Sequence, residues 1–172
     1  MKLPLSYRQT NFLLFIVPAG LLAYGYYLQF FEGQEPCPLC MTQRICFYLV
    51  AIFGLVAIFN KRSVIVQRTL AGLGFISAST GIGVATRQLW LQSLPADQVP
   101  ACGPAFDYIF KNFPFLDAVQ IMFRGNGNCA EVTWTFLGLS IAGWAFIAFA
   151  GLILLQLIQL FRRFEQASSS AS

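Results

Sequence analysis

The chain contains no histidine. That absence removes haem held by histidine, histidine-containing zinc sites and a histidine general base. Charge is scarce too: Lys and Arg number 11 and Asp and Glu 7 among 172 residues. With 57% hydrophobic and only 10% charged residues, a soluble domain of this size would lack the polar side chains to cover its surface. The composition is that of a membrane protein.

What the chain has instead is long apolar runs. Four stretches, at about residues 11–31, 40–59, 69–91 and 133–160, are long enough to cross a bilayer as helices. The first is too long for a signal-peptide core, and "YGYYLQFF" does not resemble a small-residue cleavage site, so it counts as a span. No internal repeat or soluble domain is visible, and residues 1–172 read as one integral-membrane domain. The expected fold is all-α: an antiparallel bundle of four transmembrane helices. Small residues in "AGLGFISASTGIGVA" favour close helix approach, and Pro18 should kink the first helix. The tail "EQASSSAS" has the composition of a disordered segment.

The placement of charge sets the topology. Lys2 and Arg8 precede the first span, Lys61, Arg62 and Arg68 lie in the second connection, and Arg162 and Arg163 follow the fourth span. The first loop carries Glu32 and Glu35 and no basic residue; Lys111 and Arg124 lie well inside the third. Both termini and the middle connection are therefore expected in the cytoplasm, with the loops at about 32–39 and 92–132 facing outward. The basic residues act as topology signals and call for no nucleic acid. Within the second outward loop, Phe115, Leu116, Val119, Met122 and Phe123 of "FPFLDAVQIMFR" can share a helical face, which predicts a short amphipathic helix on the membrane surface or packed on the bundle.

The chemistry rests on five cysteines. Cys37 and Cys40, in "PCPLC", have the C-x-x-C spacing of redox dithiols, which zinc sites also use. Cys102 and Cys129 lie in the other outward loop and are not a second knuckle. An oxidising compartment suits disulfides, so a redox relay, a pair of structural disulfides and a four-thiolate zinc site all stay open on spacing alone. Arg44 favours the relay. It follows Cys40 by one turn, about 6 Å along the axis, and an arginine within a membrane helix is costly without a partner. Beside Cys40 it would stabilise a thiolate, as would the helix N-terminus; the bland alternative is that it snorkels to headgroups.

"CPLC" with arginine four residues on, "RQLWLQSLP", "ACGPAF" and "GNCAEVTWTFLGLS" together resemble the bacterial disulfide bond formation protein B family (DsbB), over nearly the whole chain. The resemblance implies a multi-pass enzyme of the bacterial inner membrane with its cysteine loops in the periplasm. Such an enzyme reoxidises a thioredoxin-like, DsbA-like dithiol oxidase and passes the electrons to a membrane quinone, ubiquinone or menaquinone. It further implies that Cys37 and Cys40 are one redox pair, with Cys40 next to the quinone, and that Cys102 and Cys129 are the other. Cys102 would be attacked by the partner, Cys129 would then attack Cys37, and Arg44 would belong to the quinone site.

The chain departs from the family pattern at Gln88, where many members have histidine; a glutamine can hydrogen-bond a quinone but cannot relay protons at neutral pH. Arg87 is a candidate for holding quinone or lipid headgroups, although anchoring the helix end is the simpler reading. Cys46 is extra to the relay and reads as a small buried hydrophobe, and Tyr24, Tyr26, Tyr27, Trp90 and Trp134 read as an interfacial belt. Two alternatives remain: an enzyme like vitamin K epoxide reductase, in which the C-x-x-C lies at a later helix, and a non-catalytic four-span scaffold with structural disulfides.

Overall fold

Ser6 starts the first helix with a reciprocal cap: its hydroxyl accepts from the Gln9 N–H, and the Gln9 side chain accepts from the Ser6 N–H. The structure is a computed structural model that describes residues 6–60, 64–103 and 106–169. Lys2, Lys61 and Arg62, three of the topology signals, lie outside the described residues. The helices are α1 (Tyr7–Phe31), α2 (Pro38–Phe59), α3 (Val64–Gln92), α4 (Phe106–Asn112), α5 (Phe115–Arg124) and α6 (Ile141–Ser169). Among them α1, α2, α3 and α6 are long and apolar enough to cross a membrane, so the chain is a multi-pass, four-helix membrane protein.

In a bilayer the packing of helices depends on close contact more than on expelling water. The chain meets that need with glycine. A Cβ at Gly81 of α3 would lie 2.3 Å from the Phe149 ring of α6, and Phe149 in turn stacks on Phe47 of α2 with centroids 4.0 Å apart. Pro18 lacks an N–H and so leaves the Leu14 carbonyl of α1 without its helical donor. Gly54 of α2 packs against that turn, where an added Cβ would sit 3.2 Å from the Leu14 oxygen. The core, with Leu14, Leu22, Cys46, Phe47, Val50, Phe149 and Leu152, runs along these crossings. α2 packs along α1 and α3, and α3 along α6, whereas α1 and α6 meet only briefly. That leaves space between α1 and α6 at the end where the cysteines lie.

Two boundaries differ from the sequence expectation. The fourth span does not begin near residue 133. Thr135–Phe136 and Leu139–Ser140 form an antiparallel hairpin, and α6 starts only at Ile141, where the Ser140 hydroxyl accepts from the Gly143 N–H. The tight turn holds Leu137 at φ 52° and Gly138 at φ 80°, the left-handed pair that two-residue hairpins require. The apolar letters of "TFLGLS" mimic a helix, but their β-branched, aromatic and glycine content suits a hairpin. At the other end α6 continues to Ser169, into the tail expected to be disordered; no glycine or proline interrupts that stretch.

The long loop is built from α4, which the sequence did not suggest, and α5. Asp117 and Arg124 sit in the first and last turns of α5 and complement its dipole. Ala118 and Met122 are buried, and the Met122 carbonyl accepts from the Thr42 hydroxyl of α2 at 3.5 Å. Phe115, Leu116 and Phe123 stay exposed. The helix is thus docked on the bundle by one face and bare on another. Gly125, at φ 71°, turns the chain back against Leu39 and Leu91 and delivers Cys129 to the start of α2.

Candidate active site

Cys37 is the N-cap of α2, with Pro38 as the first helical residue. Its Sγ accepts from the Cys40 N–H at 3.4 Å and lies 2.9 Å from Cys40 Sγ. The capping geometry is thus what folds the C-x-x-C so that its sulfurs face each other. Cys129 reaches the same place from the long loop. It is fully buried and packs with Cys37, Leu39, Val84 and Leu91, with Cys40 alongside.

The thiol set is electrostatically uneven, with all five cysteines free. Cys37 hydrogen-bonds to Cys129 and to Cys40, and this together with burial pushes its thiol upward and keeps it protonated. Cys129 moves the opposite way, down to about 7, chiefly because it accepts that hydrogen bond from Cys37; backbone groups at Asn126 and Leu39 assist, against the effect of burial.

Cys102 lies apart. It is exposed, on a segment laid beside the Cys129 turn: the Ala101 carbonyl accepts from the Gly127 N–H at 3.1 Å, and the Gly103 carbonyl from Asn128 Nδ2 at 3.3 Å. Gly127 permits this approach, since a Cβ there would stand 2.5 Å from the Pro100 oxygen. A second tie joins the two loops where the Thr133 hydroxyl donates to Gln34.

The remaining sequence candidates separate. Gln88 is buried against the thiols, donating Nε2 to Cys40 Sγ at 3.2 Å and to Cys37 Sγ at 3.6 Å. Arg44 does not hydrogen-bond Cys40. It reaches α1 instead, donating Nη1 to Gln29 Oε1 at 2.5 Å and Nη2 to the Gly25 carbonyl at 3.0 Å, over the Tyr26 ring. Arg87 is turned away, donating to the Arg124 carbonyl at 3.4 Å and lying over Trp90. Cys46 lies in the core below the site. Sequence reasoning did not single out Gln43, which is buried and donates to Gln88 Oε1 at 2.8 Å. Its one signal was a polar residue three positions past Cys40 inside an apolar helix.

A cavity of about 1260 Å³ opens beside this cluster, lined by Cys37, Cys40, Gln43, Arg44 and Gln88 and by the aromatic rings of Tyr24, Trp134, Phe136 and Trp144. Tyr24 and Trp134, expected in an interfacial belt, meet each other edge to face at its wall. Apolar rings with a few converging polar groups are what a planar organic ligand needs. Among the described residues no cluster of three or more His, Cys, Asp or Glu could hold a metal ion.

The family model described as "Disulfide bond formation protein DsbB" matches residues 7–159. Three proteins named "Disulfide bond formation protein B" are similar over nearly their whole length. That of Hahella chejuensis is 50% identical over 147 residues, 86% of this chain and 89% of its own. That of Saccharophagus degradans is 46% identical over 162 residues, 94% and 97% respectively. That of Marinobacter nauticus is 47% identical over 153 residues, 89% and 91%. No solved structure matches the chain.

Proposed function

Because the chain belongs to the disulfide bond formation protein B family, and is therefore a membrane thiol oxidoreductase, we propose that it reoxidises a soluble thioredoxin-like dithiol oxidase and delivers the electrons to a membrane quinone. The observation that carries this reading is the packing of Cys129 against Cys37 and Cys40, the latter two on the wall of a cavity that Arg44 and Gln88 also line. In this reading the protein resides in the bacterial inner membrane with the cysteine end in the periplasm, an orientation that the basic residues at the opposite end support.

In the proposed cycle the oxidised enzyme carries Cys102 bonded to Cys129 and Cys37 bonded to Cys40, four sulfurs that are free thiols in this structure. A partner thiolate attacks Cys102, which is the exposed sulfur, and Cys129 leaves with the electron pair. Cys129 is already packed against Cys37, so its intramolecular attack there needs little rearrangement; the Cys37–Cys40 bond breaks and Cys40 leaves as thiolate. Cys40 lies in the first turn of α2, where the unpaired N–H groups favour an anion, and Gln88 Nε2 hydrogen-bonds it. The partner's second thiol releases the partner from Cys102 as a disulfide. A quinone bound in the cavity supplies a two-electron, two-proton acceptor. The apolar rings would hold such a ring, Cys40 and Gln88 line the space from α2 and α3, and Arg44, two of whose donors are taken by Gln29 and the Gly25 carbonyl, would be the cation beside it.

The test is quinone reduction by purified protein supplied with a reduced thioredoxin-like partner, followed for the wild type and Arg44→Lys. The wild type turns over; absence of reduction refutes the proposal. In Arg44→Lys the charge stays, but a lysine cannot serve Gln29, the Gly25 carbonyl and the Tyr26 face together. The KM for quinone is expected to rise about tenfold, the loss of roughly one charged hydrogen bond. Unchanged kinetics would reduce Arg44 to a tie between α1 and α2.

A further inference from the structure

Two buried amides stand behind the reactive sulfurs, and the steps above use only one of them. Gln43 is 3% exposed and Gln88 4%. They lie on adjacent helices, Gln43 on α2 and Gln88 on α3, and form a chain that ends on sulfur: Gln43 Nε2 to Gln88 Oε1 at 2.8 Å, then Gln88 Nε2 to Cys40 Sγ at 3.2 Å.

A carboxamide can turn either end toward a neighbour. Its oxygen facing a thiolate would set lone pairs against an anion, whereas its NH2 end hydrogen-bonds the charge. The donor from Gln43 occupies the Gln88 oxygen, which leaves the nitrogen for the sulfurs. In a membrane helix each buried amide needs such a partner, so the two hold each other against the alternative orientation. The same arrangement serves the neutral state, because Gln88 Oε1 lies 3.6 Å from Cys40 Sγ and can accept from its S–H. Neither amide titrates.

We propose that Gln43 is a positioning residue: by holding the Gln88 oxygen it keeps the Gln88 NH2 group on Cys40, stabilising the thiolate that leaves when Cys129 bonds to Cys37, and does so independently of pH. The electron pair of the broken Cys37–Cys40 bond then stays on Cys40, and no proton passes through either amide. This deepens the function proposed above and rests on its assignment of Cys40 as the leaving thiol.

The test follows iodoacetamide alkylation of each cysteine in the fully reduced protein against pH, resolved by peptide mass spectrometry. In Gln43→Leu, Cys40 should alkylate about tenfold more slowly near neutral pH, the loss of one hydrogen bond to an anion. Its plateau rate at high pH should not fall, since a thiolate that has lost a hydrogen bond is the stronger nucleophile, and the profile of Cys102 should be unchanged. Gln43→Glu preserves the shape. It should react like the wild type while its carboxyl is protonated and can donate to Gln88, and slow down once it ionises, adding a titration that the wild type lacks. An unchanged Cys40 profile in Gln43→Leu, equal slowing at Cys40 and Cys102, or a Gln43→Glu profile parallel to the wild type would each overturn the positioning role. The alkylation profile needs neither partner nor quinone. A wild type inactive toward quinone would therefore refute the function while the profile still decides the role of Gln43.

Discussion

Replacing Cys40 by serine is expected to abolish quinone reduction, while replacing Cys46 by serine leaves turnover within about twofold, since a surrogate outside the reacting cluster changes no transition-state contact. Both residues are cysteines of the same helix, so the contrast is purely positional. Cys40 lies in the first turn of α2, 2.9 Å from Cys37 Sγ, and lines the cavity. Cys46 is sealed in the core with Leu14, Phe47 and Phe149 and has no path to the cavity's thiols. A serine at 40 cannot form the disulfide that must break and reform in each cycle, and its hydroxyl is a far poorer leaving group than a thiolate. A serine at 46 buries a hydroxyl at a cost of about 1–3 kcal/mol, so it should show in thermal unfolding rather than in kinetics. The measurement is steady-state quinone reduction at matched protein, with folding checked by circular dichroism. Equal loss of activity in two folded variants would show that Cys40 is not the thiol serving the cavity.

The second large effect concerns the order of exchange. Cys129→Ser should convert a transient intermediate into a stable one: mixed with a partner activated as a mixed disulfide, most of the variant should accumulate as an adduct on Cys102. Cys102 is exposed, whereas Cys129 is fully buried against Cys37, so a protein partner can reach only the first and only the second can pass the electrons on. Without Cys129, Cys102 enters the reaction as a free thiol. The trap is therefore set with a partner activated as a mixed disulfide at its attacking cysteine and carrying serine at its second; the Cys102 thiol displaces the activating thiol, and neither Cys129 nor a partner thiol remains to displace the adduct. Quinone reduction should fall below detection in the same variant. Peptide mass spectrometry of the trapped complex identifies the bonded cysteine. An adduct on Cys37, with Cys102 free, would reverse the proposed electron path.

Four apolar spans and five thiols were legible in the amino-acid sequence, because each depends on near neighbours; the start of the fourth span, at Ile141, was not. Hydropathy over about 20 residues marks a span whatever it packs against. Cys37 as N-cap, Pro38 as first residue and Cys40 within the first turn lie within five consecutive letters, so the capping that brings the two sulfurs together is a local arrangement. The capping box at Ser6 and Gln9 is local in the same way.

Contacts between distant residues were not legible in the sequence and arise only from the packing of the folded chain. Cys129 meets Cys37 from 92 positions along the chain because Gly125 turns α5 back onto Leu39. Gln88 reaches Cys40 across 48 positions, and Gln43 reaches Gln88 across 45. Arg44 pointed toward Cys40 when only the helical spacing was considered, yet its guanidinium is satisfied by Gln29 and the Gly25 carbonyl on α1. Helical spacing sets a side chain's face but not its partner. Inside a membrane, where water cannot satisfy a polar group, the nearest free donor or acceptor on a neighbouring helix makes that choice. The hairpin before α6 escaped for the related reason that its apolar residues satisfy a hydropathy window as well as a helix would; its turn at Leu137 and Gly138 is settled by backbone angles and by the Trp144 indole N–H donating to the Phe136 carbonyl.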